Sequence, residues 1–334
     1  MISCTEFIPL YSELFKFLEK EGGYDAVMDY WYFICENGIG NKSNKNSLIS
    51  FLERDKDDPM EGAWKYWEMS LTEEACDLIR LYNPEKDCIY SHMRHCPSRG
   101  MLNELAHVEP YHDYCQHCNV IYRPVLEQYG LTSRRDNTWV DHAECRSIIF
   151  KQGKDPGVDL ATVKDEDMIC EGARVMDLKK GENKYLHRDF HFHGDLALRY
   201  LGKHFGENGV RKFLTDYVNN FYAPLLKDAK KRGLIAIKEW IERLYTVEEA
   251  EDLLETTLEG DTLSVKISES PAIRHLRATG TEPCKYYIEQ TRTLYSAMAD
   301  SLKFSFNLSY YDDTGKAEFT IANRKYAGGG SDEK

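Results

Sequence analysis

Apolar residues at Phe7, Leu10, Leu14, Phe15 and Leu18 recur at the spacing of one helix face, and Gly22-Gly23 ends the run. The pattern predicts a helix over residues 7–20 and an aromatic-rich one over 24–35, closed near Asn37-Gly38. Residues 42–59 are polar and charged and read as a loop. Helical spacing returns over 60–81, with a restart at Thr72. Residues 88–93 alternate and predict a strand. A long helix is expected over 110–129, stopped by Gly130 and kinked or split at Pro124, with strand-like runs following near 131–139 and 145–150.

The same succession then returns. Helical patterns cover 196–204, ending at Gly206, then 210–226 and 236–254, and strand patterns cover 263–267, 303–310 and 318–321. The match extends to residues: 87–97 (DCIYSHMRHCP) answers 261–271 (DTLSVKISESP), and 143–149 (AECRSII) answers 316–321 (KAEFTI). Trp67 answers Trp240, and Gly23 with Val27 answers Gly206 with Val210. The expected fold is α+β: two homologous repeats, each three helices plus a small β-α-β-β layer, packed about a pseudo-twofold axis. The expected domains are a Cys/His-rich first repeat over 1–152, a linker over 153–186 with one short strand near 173–176, a second repeat over 187–326 and a disordered tail over 327–334.

A chain of 334 residues suggests about two domains, each able to bury its own core. The net charge of −13 repels phosphate backbones and anionic membranes, so a small molecule is the expected partner, with self-association left open. There is no apolar run of about 18 residues and no basic-then-apolar leader, which predicts a cytoplasmic chain. Five of the ten cysteines lie between 88 and 145, beside six of the eleven histidines. Without an export signal these read as reduced thiols for metal or catalysis rather than a disulfide frame.

Four of those thiols vanish from the second copy: Cys96 is matched by Ser270, Cys115 by Ile288, Cys118 by Thr291 and Cys145 by Glu318. A fold that forms without them suggests that they serve chemistry. Cys115 and Cys118 are spaced to place both sulfurs on one helix face, and Cys96 and Cys145 lie at strand ends that can converge on them. Four thiolates, or three with one of His92, His95, His117 or His142, suit zinc, and four cysteines also suit an iron–sulfur cluster. Asn119 after Cys118 excludes a haem-attachment motif. The second copy contributes His187, Asp189, His191, His193 and Asp195 within nine residues. His191 or His193, with Asp189, can supply a general base near neutral pH, whereas the bland alternative is a polar helix cap with Asp189 capping and His187 exposed. If the copies pack about a twofold, thiols and imidazoles line one cleft.

The run Cys96-Pro, Tyr111-x-x-Tyr-Cys115-x-x-Cys-x-Val-x-Tyr, Gly130 and Glu144-Cys145-x-x-x-Ile resembles the L-2-amino-thiazoline-4-carboxylic acid hydrolase family over residues 90–150. The resemblance implies hydrolysis of a carbon–nitrogen bond in a cyclic amidine. It leaves two routes open. A metal-bound water can attack, with Cys96, Cys115, Cys118, Cys145 and His117 as candidate ligands and His191 or His193 moving the proton. Alternatively, Cys96 or Cys115 is a nucleophile activated by a neighbouring histidine. Arg99, Arg188 and Tyr111 are the candidate substrate-binding residues. A non-catalytic zinc-containing ligand sensor and a thiol or iron–sulfur redox protein are the other classes the same residues fit.

Overall fold

The computed structural model describes residues 1–323, so the expected tail over 327–334 lies outside the described residues. Those residues form ten α-helices and two antiparallel sheets, an α+β arrangement. No helix among them is long and apolar enough to cross a membrane. The chain divides into two compact units: Cys4–Tyr200 with His275–Pro283, and Met1–Ser3, Leu201–Arg274 and the chain from Cys284 onward.

The N-terminal unit opens with α1 (Phe7–Ile34), broken at Gly23, whose φ of 73° is a left-handed conformation that glycine adopts without Cβ strain. A π-helical turn over Cys35–Ile39 closes it. Helix α2 (Leu48–Arg54) is capped by Ser47, whose Oγ accepts from the Ser50 N–H. It lies inside the stretch expected to be a loop. Helix α3 (Pro59–Thr72) ends earlier than its pattern suggested, and residues up to 81 turn into β1 (Asp77–Asn83). The remaining elements are β2 (Cys88–His95), α4 (Pro97–Glu104), α5 (His117–Glu127), β3 (Leu131–Asp136), β4 (Cys145–Lys151), β5 (Arg174–Leu178) and the start of α6 (Phe190–Phe221). Helix α5 begins later than expected and runs through Pro124 as one helix rather than splitting there.

The five strands pair in the order β3-β4-β2-β1-β5. One face carries Ile79, Leu81, Cys88, Tyr90, Ile148 and Phe150. Against it pack Leu160 and Met168, with Val158 and Val163 at the margin. Asp165 is tied to the same face: it accepts from the Tyr90 hydroxyl at 3.0 Å and meets His92 Nδ1 at 3.0 Å. The expected linker over 153–186 is therefore a cover and an edge strand of the first unit. Its apolar residues find a sheet face to bury, and β5 completes the open edge of β1.

The C-terminal unit holds the rest of α6, broken at Gly206 (φ 67°), then α7 (Ala223–Arg232), α8 (Leu234–Val247), β6 (Leu254–Glu259), β7 (Thr262–Ile267), α9 (Pro271–Ala278, which crosses into the first unit's residues), α10 (Glu289–Ser301), β8 (Phe304–Tyr311) and β9 (Ala317–Asn323). Its strand order is β6-β7-β9-β8, the order in which β1, β2, β4 and β3 follow one another in the first sheet. The inner face alternates cleanly, burying Leu263, Val265 and Ile267 of β7 and Ala317, Phe319 and Ile321 of β9. Tyr295 of α10 packs on Phe319 with ring centroids 4.6 Å apart and on Trp240 at 5.9 Å.

Each layer is thus β-β-α-β-β rather than β-α-β-β. Most of strand β1 was read as a helix end, and strand β6, beyond its first residue, was not read. In β1 both faces are covered, so Leu78, Ile79 and Leu81 form an apolar run without alternation, which a short buried helix would also show. Truncating Met168→Ala should destabilise the protein by about 2–5 kcal/mol in urea titration, the cost of a core cavity. A residue in a true linker would cost within about 0.5 kcal/mol.

Candidate functional site

The other face of the five-stranded sheet is the floor of a cavity of about 160 Å3 that lies wholly within the N-terminal unit. At about 10–15 Å3 of such space per water, it has room for a small organic molecule. Strand pairing sets the floor. Arg135 lies opposite Ser147, Ser147 opposite Ser91, and Ser91 opposite Arg80, so one row across four strands reads Arg-Ser-Ser-Arg. The row beside it holds Cys145, Met93 and Leu78. Helices form the roof, through Phe7, Ile8 and Tyr11 of α1, Tyr66, Trp67 and Ser70 of α3, and His117, Cys118 and Tyr122 of α5. His187, Phe190 and His193 close one side.

Cys118 stands in the first turn of α5 with its Sγ 3.5 Å from His117 Nε2. His117 Nδ1 donates to the Tyr114 carbonyl, which turns Nε2 toward the sulfur. The rings of Tyr114, Tyr11 and Phe15 surround the imidazole at 4.9, 5.5 and 5.9 Å between centroids. Burial alone would push the Cys118 thiol up. The charges of His117 and Arg135, with the His117 hydrogen bond, outweigh it and draw the thiol from 9.0 down to about 7. Burial works against the His117 imidazolium too, and the Cys118 thiolate reverses that and raises it. Both shifts favour the thiolate–imidazolium form of the pair.

The other thiols differ. Burial pushes Cys115 up to about 12, Cys96 well above its ordinary value, and Cys145 up despite the Arg135 Nη1 that donates to its sulfur at 3.3 Å. Cys96 is the N-cap of α4, its Sγ accepting from the Arg99 N–H at 3.5 Å. In the C-terminal unit Ser270 does the same, its Oγ accepting from the Ile273 N–H at 3.4 Å. Cys96, Cys118 and Cys145 line the cavity, whereas Cys115 does not. The five residues expected to ligate a metal are not drawn into one cage: among the described residues, no three of Cys96, Cys115, Cys118, Cys145 and His117 bring donor atoms within 4.8 Å of one another. The donor set does not fit a closed zinc or iron–sulfur site.

The histidine cluster divides. His193 faces the cavity, but burial pushes its imidazole down to about 4, so it is neutral. His187 is buried rather than exposed: a bridge between Glu74 and Tyr185 lays it beside Glu73, 2.9 Å from Nδ1. His191 is buried outside the lining, within 4.8 Å of the Cys4 sulfur. Asp189 also lies outside it. Burial opposes ionisation of its carboxyl, but His275 at 2.7 Å, His187 and Asn46 hold it below the usual range.

The expected substrate-binding residues stand elsewhere. Arg99 reaches outward to Asp141 at 2.9 Å, Arg188 is not in the lining, and Tyr111 is core, its N–H donating to Ser12 Oγ at 2.8 Å. The two arginines of the floor row, Arg80 and Arg135, were missed as site residues; Arg134 also borders the cavity but pairs with Asp155. Their signal was a charge inside the apolar run Leu78-Ile-Arg-Leu and the paired Arg134-Arg135 on a strand. Comparison with protein-family models, with curated proteins and with solved structures finds no match to this chain.

Iodoacetamide labelling read by mass spectrometry should therefore modify Cys118 with a midpoint near pH 7, leaving Cys96, Cys115 and Cys145 unmodified until strongly alkaline pH. Arg135→Met should move that midpoint up by about one unit, about 1.4 kcal/mol. Because the folded value lies below the unfolded 9.0, the thiolate's contribution to stability is complete above pH 9 and is lost as pH falls through 7.

Proposed function

We propose that the chain is a duplicated module whose N-terminal copy is a cysteine hydrolase for a small molecule, opening a carbon–nitrogen bond of a cyclic amidine. The observation that carries this reading is the Cys118 sulfur, 3.5 Å from His117 Nε2 and facing a cavity of small-molecule size. Cys118 thus takes the nucleophile's role that the sequence had offered to Cys96 or Cys115.

The chemistry follows from the pair. The thiolate attacks the amidine carbon and forms a carbon–sulfur bond, while the displaced electron pair moves onto the ring nitrogen. The imidazolium Nε2–H protonates that nitrogen. The lone pair of the exocyclic amino group then forms a carbon–nitrogen double bond and expels the ring nitrogen, which takes one amino proton as it leaves as the amine. His117, now neutral, takes a proton from water as the water oxygen adds to the same carbon and the imine electron pair moves onto its nitrogen. Collapse of that adduct passes the hydroxyl proton to this nitrogen, forms the carbonyl and returns the electron pair to sulfur, so thiolate and imidazolium are restored. Arg135 stabilises the thiolate before attack and again as it is expelled.

Duplication is supported by the shared strand order and by the breaks at Gly23 and Gly206. Counting along the pairings, the C-terminal counterpart of the Arg-Ser-Ser-Arg row reads Leu308, Phe319, Val265 and Thr256. By the same register Cys145 corresponds to Ala317, opposite Ile267, rather than to Glu318. The second copy keeps the framework and replaces the charged floor with a packed one.

Purified protein should convert L-2-amino-thiazoline-4-carboxylate, followed by product chromatography, with kcat/KM rising through a limb near pH 7 as Cys118 ionises. Cys118→Ser and His117→Ala should each lower kcat by about 100-fold or more, and treatment with a chelator should leave it unchanged. Saturable binding without turnover would instead establish a ligand sensor.

A further inference from the structure

Arg80 is 2% exposed, yet two of its guanidinium nitrogens are without a hydrogen-bond partner. Nη1 donates to Ser91 Oγ at 2.7 Å, while Nε and Nη2 find nothing. Among the described residues no carboxylate hydrogen-bonds to these two nitrogens. The guanidinium carbon lies 5.1 Å from the Trp67 ring and 5.7 Å from the Trp64 ring, so aromatic faces hold the group in place. Such a group is costly. An unpaired buried charge is among the most destabilising features a core can hold, and buried N–H donors are almost always satisfied. Arg80 also lines the cavity, at the end of the floor row opposite to Arg135, and burial with the nearby Arg174 and Arg135 charges draws its own proton affinity down to about 9. The lining holds one carboxyl, Glu74, which burial pushes up, and it makes no hydrogen bond to the Arg80 Nε or Nη2.

We propose that Arg80 is the seat of a ligand carboxylate: a small planar carboxylic acid enters the cavity, its two oxygens accept from the free Arg80 N–H groups, and its ring lies among Tyr66, Trp67 and Tyr122 with the reacting carbon toward Cys118. The reacting carbon rests on the hydrolase reading, but the seat itself is a binding site and is tested without turnover. A carboxylate fits better than a neutral group because a planar pair of oxygens matches the fork of a guanidinium, and because only an anion offsets the stranded charge.

The experiment uses the full chain carrying Cys118→Ser, so that no chemistry occurs, and measures dissociation constants by calorimetry together with thermal melting. The probes are benzoate, benzamide (the same shape without the charge) and inorganic phosphate. Benzoate should bind and raise the melting temperature, and benzamide should not. Arg80→Met should weaken benzoate about 10- to 100-fold, while the unliganded variant melts at the same temperature as its parent or higher, since a stranded charge has been removed. Arg80→Lys should recover part of the binding. Equal binding of benzoate and benzamide, or undiminished benzoate binding by Arg80→Met, overturns the proposal. So does Arg80-dependent binding of phosphate in place of benzoate, and so does a loss of binding that accompanies a lowered melting temperature and that lysine does not recover. Benzoate binding that obeys these rules in a wild-type protein without hydrolase activity would sink the hydrolase reading and leave the seat standing.

Discussion

Cys118, His117, Arg135 and Arg80 face one cavity, and burial there works against the charged form of each. Desolvation opposes every charge: it raises the Cys118 thiol, lowers the His117 imidazolium and weakens both arginines' hold on their protons. The thiolate reverses this for His117 and Arg135, and they in turn reverse it for the thiolate. Only mutual attraction in a low-dielectric setting can do that, so these three groups stand or fall together. Arg80 is outside the bargain. Two of its N–H groups find no partner among the described residues, and it stands at the end of the floor away from Arg135.

The arrangement follows from the pleat. Residues that face each other across an antiparallel ladder share a face, so Arg135, Ser147, Ser91 and Arg80 must all point the same way once the register is set. Between the two arginines stand small serines, which leave space above the sheet. In the C-terminal unit a row across the four strands holds Leu308, Phe319, Val265 and Thr256, and Tyr295 packs on Phe319 and on Trp240. A sheet of this topology is stable with an apolar floor. The charged floor therefore costs stability that an apolar one would not, and such a cost is ordinarily met where a ligand or a reaction uses the charge.

Much of the framework was legible. The helix breaks at Gly23 and Gly206 and the strands β2, β3, β4 and β7 could be read from spacing and punctuation. Strand β1 could not, because burial on both faces erases alternation, and with β1 went Arg80. The thiols were found as a group but not sorted. Nothing in the one-dimensional pattern says that Cys96 caps α4 as Ser270 serves α9, or that Cys115 falls outside the cavity. Those facts depend on which way a turn carries its side chains. The step from His117 to Cys118 was read as a pair of candidate metal ligands, although adjacent helical residues usually face apart. It became chemistry only when the Tyr114 carbonyl turned the ring.

Helix position alone does not explain why Cys118 ionises. Cys96 also sits at a helix N-terminus, and its sulfur accepts a backbone N–H, yet its thiol is held protonated. A helix terminus contributes about 0.3–1 kcal/mol to a nearby anion, which cannot match desolvation costing several times as much. What Cys96 has for neighbours is other thiols. What Cys118 has is an imidazolium at 3.5 Å and a guanidinium on the floor below. The counter-ion, not the helix dipole, decides which thiol is drawn down. In the C-terminal sheet, which has the same strand order, Leu308 opposite Phe319 stands where Arg135 faces Ser147, and a thiol above such a row would meet the burial and not the charge.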